Sequence, residues 1–147
     1  MKEPRWLSKA VIEAVHHRQV REHGGHFGVR DTHLLESALS RPVNYWVHEP
    51  TADIFTLAAV LGHGLTRNHS FIDGNKRVGL MSMYVFLGLN GYDLNAPEAE
   101  AVDVMLQVAA GSMSERALAE WLRQHTVRPT SFLSTEEVGG AAAPWCP

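Results

Sequence analysis

The sequence predicts an all-α fold, a compact bundle of about six helices, on three observations. Apolar residues recur at helical spacing through most of the chain, no stretch sustains an alternation of period two, and Gly, Asn, Asp and Pro punctuate the periodic segments. A chain of 147 residues forms one domain. The helical domain is expected over 1–126. Residues 127–147 mix Pro, Gly, Ser and small side chains without a period and read as a weakly ordered tail.

In order along the chain, Leu7, Ala10, Val11, Ala14 and Val15 trace one face of a first helix that stops at Gly24 and Gly25. Asp31 or Thr32 caps a short second helix bearing Leu34, Leu35, Ala38 and Leu39, which Pro42 ends. The β-branched and aromatic residues of "VNYWVHEPT", 43–51, predict an extended or hairpin-like connection. A third helix turns Ile54, Phe55, Ala58, Leu61 and Leu65 to the core, with Gly62 and Gly64 allowing a neighbour to come close.

The fourth segment, "RVGLMSMYVFLGLNGY", is apolar almost all round and belongs at the centre of the bundle, ending at Asn90 and Gly91. Asn95 caps the next helix, with Pro97 in its first turn and Val102, Met105, Leu106 and Val108 inward. Capping-box spacing at 112–115 opens a last helix carrying Leu118, Trp121 and Leu122.

Composition narrows the function classes. With 45% hydrophobic and 20% charged residues and a net charge of −3, the chain has no basic field for direct nucleic-acid binding. Its four tryptophans, Trp6, Trp46, Trp121 and Trp145, are scattered rather than arranged for base stacking; Trp6 and Trp121 suit the core and Trp46 an exposed position. The single cysteine, Cys146, rules out an internal disulfide and suits a reducing compartment, so a cytoplasmic location is expected. Lys2, Glu3, Arg5 and Lys9 interrupt the N-terminus before any signal-like apolar run, and no window reads as a membrane span.

Between the two central helices lies "NHSFIDGNKR", 68–77, which gathers a histidine, a carboxylate, a glycine, an amide and two cations. Asp73 and Gly74 form a turn, Gly74 is free to take positive φ, and Asn75 stands where the long apolar helix begins. The first-turn N–H groups of a helix have no partners within it and its dipole end is positive, so this junction is a phosphate site built of backbone, with Lys76 and Arg77 adding charge. Cations at a helix N-terminus are unfavourable by about 0.3–1 kcal/mol, and a bound polyphosphate offsets that. Asp73 would be repelled by phosphate unless a hard cation lay between them, which points to Mg²⁺ with ATP or a similar nucleotide. His69 can accept a proton near neutral pH, and Phe71 anchors the loop in the core. The chemistry these residues predict is phosphoryl or nucleotidyl transfer to a hydroxyl.

Nine histidines raise the possibility of a metalloenzyme, with His63 and His69 as ligands, but their spacing fits neither His-Glu-x-x-His nor a zinc finger. His16, His17, His23, His26, His33, His48 and His125 read as surface or cap residues. No strand precedes "GNK", so it is not a P-loop.

"HSFIDGNKR" resembles the Fic/Doc family signature His-x-Phe-x-(Asp/Glu)-(Gly/Ala)-Asn-x-Arg, and "HGGHFGVRDTHLLESALSRP", "AAVLGHGLTRNHSFIDGNKR" and "FLGLNGY" resemble segments of its death-on-curing (Doc) type. The resemblance covers about 7–125 and implies a helical bundle with the motif loop between two central helices. It also implies roles: His69 as general base, Phe71 as anchor, Asp73 as metal ligand, Asn75 and Arg77 as phosphate binders, Gly74 as the shaper of the turn. Tyr45, Trp46, Val47 and His48 fall where the family has its target-docking flap, which pairs main chain with an extended substrate.

Fic enzymes that transfer AMP typically have Gly where this chain has Lys76 and a second Arg where it has Leu80. Both changes are Doc-like, and Doc-type proteins present the γ-phosphate. The resemblance therefore implies a toxin of a toxin–antitoxin system: a kinase that phosphorylates a protein hydroxyl, with elongation factor Tu as substrate and translation arrest as the result. AMP transfer and a catalytically idle antitoxin-binding module are the alternatives. Ser70 stands where proline is usual and leaves the loop less rigid. The tail's "STEEVGG" lacks the spacing of a Fic inhibitory segment, so inhibition in trans by a Phd-like antitoxin is implied.

Overall fold

Residues 2–128 are described by the computed structural model, which leaves the tail expectation for 129–147 outside the described residues. The elements run α1 (Lys9–His23), α2 (Thr32–His48), α3 (Ile54–Arg67), α4 (Asn75–Leu89), β1 (Asp93–Leu94), α5 (Glu98–Ala110), α6 (Glu115–Gln124) and β2 (Thr126–Val127). The predicted all-α bundle is what forms, with one short antiparallel ladder, Asp93 opposite Val127 and Leu94 opposite Thr126.

Side-chain caps set most helix starts. Ser8, Asp31, Asp53 and Ser114 each accept the N–H three residues on, at 3.2, 3.0, 2.8 and 3.1 Å, each satisfying one orphan donor of the first turn. The last helix is thus capped by Ser114 rather than Ser112, whose hydroxyl instead donates to the Gln107 carbonyl at 3.1 Å. Likewise α5 starts after Pro97, while the Asn95 N–H donates to the His125 carbonyl at 2.8 Å and so extends the β1–β2 pairing.

At the centre, α3 crosses α4 with almost no side chain between them. A Cβ on Gly62 would collide with Met83 and lie 3.2 Å from the Gly79 carbonyl oxygen; one on Gly79 would collide with the Thr66 hydroxyl and lie 2.9 Å from the Gly62 oxygen. The close approach read from Gly62 therefore exists, and Gly79 is its counterpart. Val78, Met83, Phe86 and Leu87 of α4 are buried around it, as the all-round apolar pattern requires.

The predicted connection at 43–51 is wrong in kind: α2 continues through Pro42 to His48. Proline inside a helix costs about 3 kcal/mol through its missing donor and its ring. Here Pro42 is buried, and the turn beyond it carries Trp46 into a ring cluster, 6.4 Å from Trp6, which in turn stacks on Phe86 at 5.9 Å. Burial of aromatic surface outweighs the break, and Trp46 is half-buried rather than exposed.

Two predicted faces also turn. On α1 the buried set is Ile12, His16, Gln19 and Val20, with Val11 exposed, because two polar side chains face the interior. On α5 the buried stripe is Ala101, Val104, Met105 and Val108; Val102 and Leu106 lie outside it, since a helix on the rim of a bundle can cover only one stripe.

Candidate active site

The motif begins where α3 ends. Asn68 caps α3, and its amide donates to the Leu34 carbonyl at 3.0 Å, tying the loop's first residue to α2. Phe71 is fully buried, which fixes the loop's midpoint. Its N–H donates to Asn75 Oδ1 and its carbonyl accepts from Asn75 Nδ2, both at 3.0 Å. The Asn75 amide is thus a two-point brace, and what this residue turns toward the helix end is its main-chain N–H.

Gly74 then takes φ +78°, the left-handed conformation its position required, and α4 begins at Asn75 with no side-chain cap. A cavity of about 550 Å³ opens there, lined by Asp73, Gly74, Asn75, Lys76 and Arg77 and, from the end of α1, by His23, Gly24 and Gly25. Five residues of the motif therefore converge on the positive end of α4. Asp73 is partly fixed: its Oδ2 accepts the His26 N–H at 2.8 Å, and the Gly25 backbone passes so close that a Cβ there would lie 3.2 Å from Asp73 Cβ. One carboxylate with an oxygen to spare, beside uncapped N–H groups, fits a magnesium ion that takes its other ligands from phosphate and water.

His69 does not line this cavity. It sits exposed at the start of the loop and, among the described residues, is the one non-glycine with positive φ, +51°. Such a conformation costs about 1–2 kcal/mol for an L-residue, so neighbouring bonds must impose it.

Two residues that the sequence reading passed over hold the loop. His16, expected at the surface, is buried and stacked on Phe71 at 4.0 Å between ring centroids. Its Nε2 lies 2.8 Å from the Asp73 carbonyl oxygen, so that nitrogen carries the proton. Burial pushes its pKa below the ordinary value, outweighing the opposing effect of the bond to Asp73. Arg30, from the segment before α2, donates through Nε to the His69 carbonyl at 2.7 Å. No local pattern marks either residue, because both act across long sequence separations.

Tyr45, Trp46, Val47 and His48, expected in an extended flap, form the last turn of α2 instead. Tyr45 lines a larger cavity, about 930 Å³, with Arg41, Thr56, Glu115 and Arg123. No motif residue reaches it, and two of its three arginines are already paired, Arg41 with Glu115 at 2.6 Å and Arg123 with Asp53 at 2.7 Å. The segment beside the motif is 24–31, where Val29 forms an isolated antiparallel bridge with Phe71 and the Ile72 N–H donates to the Gly28 carbonyl at 3.2 Å. His63, weighed as a metal ligand, bonds the Met113 carbonyl at 3.1 Å through Nε2.

The profile of the Fic/DOC family matches residues 6–87, which include α1, the 24–31 segment, the motif and most of α4. The chain is 30% identical over 121 residues to Protein kinase doc of Escherichia phage P1, covering 82% of this chain and 94% of that protein. It is 37% identical over 89 residues to Toxin Doc of Mycolicibacterium smegmatis, covering 58% and 68% respectively.

Proposed function

The chain belongs to the Fic/DOC family, and from that premise we propose that it is the toxin of a toxin–antitoxin pair, a protein kinase whose substrate is a translation factor. The carrying observation is the junction of Asp73, left-handed Gly74 and the uncapped start of α4, one helical turn before an apolar Leu80. The names of the two relatives, a protein kinase and a toxin, support the same reading.

In this mechanism the first-turn N–H groups of α4, with Lys76 and Arg77, hold the phosphates of ATP in the cradle. Asp73 would hold Mg²⁺, which when bound would draw charge from the phosphate oxygens. His69 takes the proton of a Ser or Thr hydroxyl as its oxygen bonds to the γ-phosphorus and the bond to the β–γ bridging oxygen breaks, releasing ADP. Leu80 lies in a small cavity with Lys76, Arg77, Val102, Met105 and Leu106 and brings no charge of its own to grip the terminal phosphate. That favours a γ-phosphate directed toward the acceptor over AMP transfer. Elongation factor Tu is the substrate to test first. A Phd-like antitoxin helix would find apolar surface beside the cradle, where Val102 and Leu106 are exposed near Arg77.

Intact-mass analysis of elongation factor Tu incubated with this chain, ATP and Mg²⁺ tests the reading. A gain of one phosphate supports it; a gain of AMP, or no gain, overturns it. Growth arrest on expression without antitoxin, abolished by His69→Ala, would support the enzyme over a binding module.

A further inference from the structure

We propose that Arg30 is a positioning residue that holds the backbone of His69 in its left-handed conformation and so aims the imidazole; the catalytic part of this rests on the proposed phosphotransfer. One residue grips three consecutive carbonyls of the motif loop. The Arg30 guanidinium donates through Nε to His69 O at 2.7 Å and through a terminal nitrogen to Asn68 O at 3.3 Å, and its main-chain N–H donates to Ser70 O at 2.7 Å.

The residues on either side are fixed by other means. Asn68 is tied to Leu34, and Phe71 is braced by Asn75 and buried. Between them only the His69 peptide is left to be set. Ser70 does not set it through its side chain, for its buried hydroxyl has no hydrogen-bond partner among the described residues. The exposed imidazole of His69 likewise takes its direction from the main chain.

The left-handed turn at φ +51° is what points the His69 carbonyl at Arg30. Relaxing it to an ordinary φ would rotate that carbonyl away from the guanidinium, exchanging a charge-assisted bond for relief of strain, and would swing the Cα–Cβ bond that carries the imidazole. The planar fork of arginine can reach adjacent carbonyls together; an ammonium meets one of them as a point charge.

Arg30→Ala and Arg30→Lys test this in the full chain. Amide hydrogen exchange at residues 30 and 31, whose N–H groups donate to Ser70 O, read without any substrate and relative to the intrinsic rates, should speed up at least about ten-fold in Arg30→Ala and less in Arg30→Lys. With ATP, Mg²⁺ and elongation factor Tu, kcat should fall about ten-fold or more while KM for ATP stays within two-fold, because the cradle at Asn75 is untouched. Arg30→Lys should restore part of kcat. If Arg30→Ala does not fold, Arg30→Lys carries the test, with intermediate losses expected. Unchanged exchange at residues 30 and 31 in the folded variants, or a kcat equal to that of the native chain, would overturn the assignment. If the native chain transfers no phosphate, the proposed function fails while the exchange measurement still judges Arg30.

Discussion

His16 Nε2 lies 2.8 Å from the carbonyl oxygen of Asp73, across a separation of 57 residues, with its ring stacked on the Phe71 side chain that anchors the same loop. The bond fixes the peptide that leads into Gly74, and so ties the start of α4 to α1. Burial keeps His16 less readily protonated than a free imidazole, whose ordinary value is 6.5. The unfolded chain then binds the extra proton more readily than the folded one, so stability rises with pH through this window. His16's contribution is complete above about 6.5 and is lost as pH falls toward and through the lower folded value. Urea denaturation from pH 7.5 to 5 should show this slope in the native chain and less of it in His16→Gln, which keeps a donor without titrating. His16→Phe leaves the Asp73 carbonyl without that donor and should cost about 1–3 kcal/mol at pH 7.

The α3–α4 crossing predicts an asymmetry between two alanine substitutions. Alanine gains about 1 kcal/mol of helix propensity over glycine at either site. At Gly62 the new methyl meets chiefly the Met83 side chain, which can move; at Gly79 it meets the Thr66 hydroxyl and lies 2.9 Å from the Gly62 carbonyl oxygen, which cannot yield without parting the helices. Thermal denaturation should find Gly79→Ala destabilised by about 1–3 kcal/mol and Gly62→Ala distinctly less affected. Equal losses would refute the rigid crossing.

Asn75 braces both polar groups of the Phe71 main chain. Asn75→Ala leaves them without that partner beside a buried ring, so stability should drop by about 1–3 kcal/mol by urea titration. ATP affinity, followed by calorimetry with Mg²⁺, should fall too, because Gly74 and the first N–H groups of α4 are set by the same brace. Retained affinity alongside the stability loss would separate the loop from the cradle.

His69 is exposed and strained, so its side chain contributes little to the fold. His69→Ala should abolish phosphate transfer to elongation factor Tu while leaving the denaturation midpoint nearly unchanged. His69→Gly, free of the left-handed penalty, should be more stable than His69→Ala by about 1 kcal/mol.

Much of the site was legible because its parts are contiguous. Asp73, Gly74, Asn75, Lys76 and Arg77 reach one cavity by following a single turn into a single helix, so their order in the chain is nearly their order in space. His69 was legible as a type of group but not as a conformation. The extended connection over 43–51 was misread: 45–48 have strand-forming composition but lie in α2, while the pairing at Phe71 is made by Val29 in a glycine-rich stretch that shows no strand pattern.

By itself, the sequence determined the helical class, the apolar centre at α4 and the left-handed junction at Gly74, since each follows from local periodicity or from the backbone freedom of one residue. Tertiary structure alone decided that α2 would run through Pro42, that His16 would be buried and that Arg30 would grip the motif loop. Those outcomes depend on which surfaces meet when helices pack, and burial energies of several kcal/mol over distant residues override local preferences of one to three.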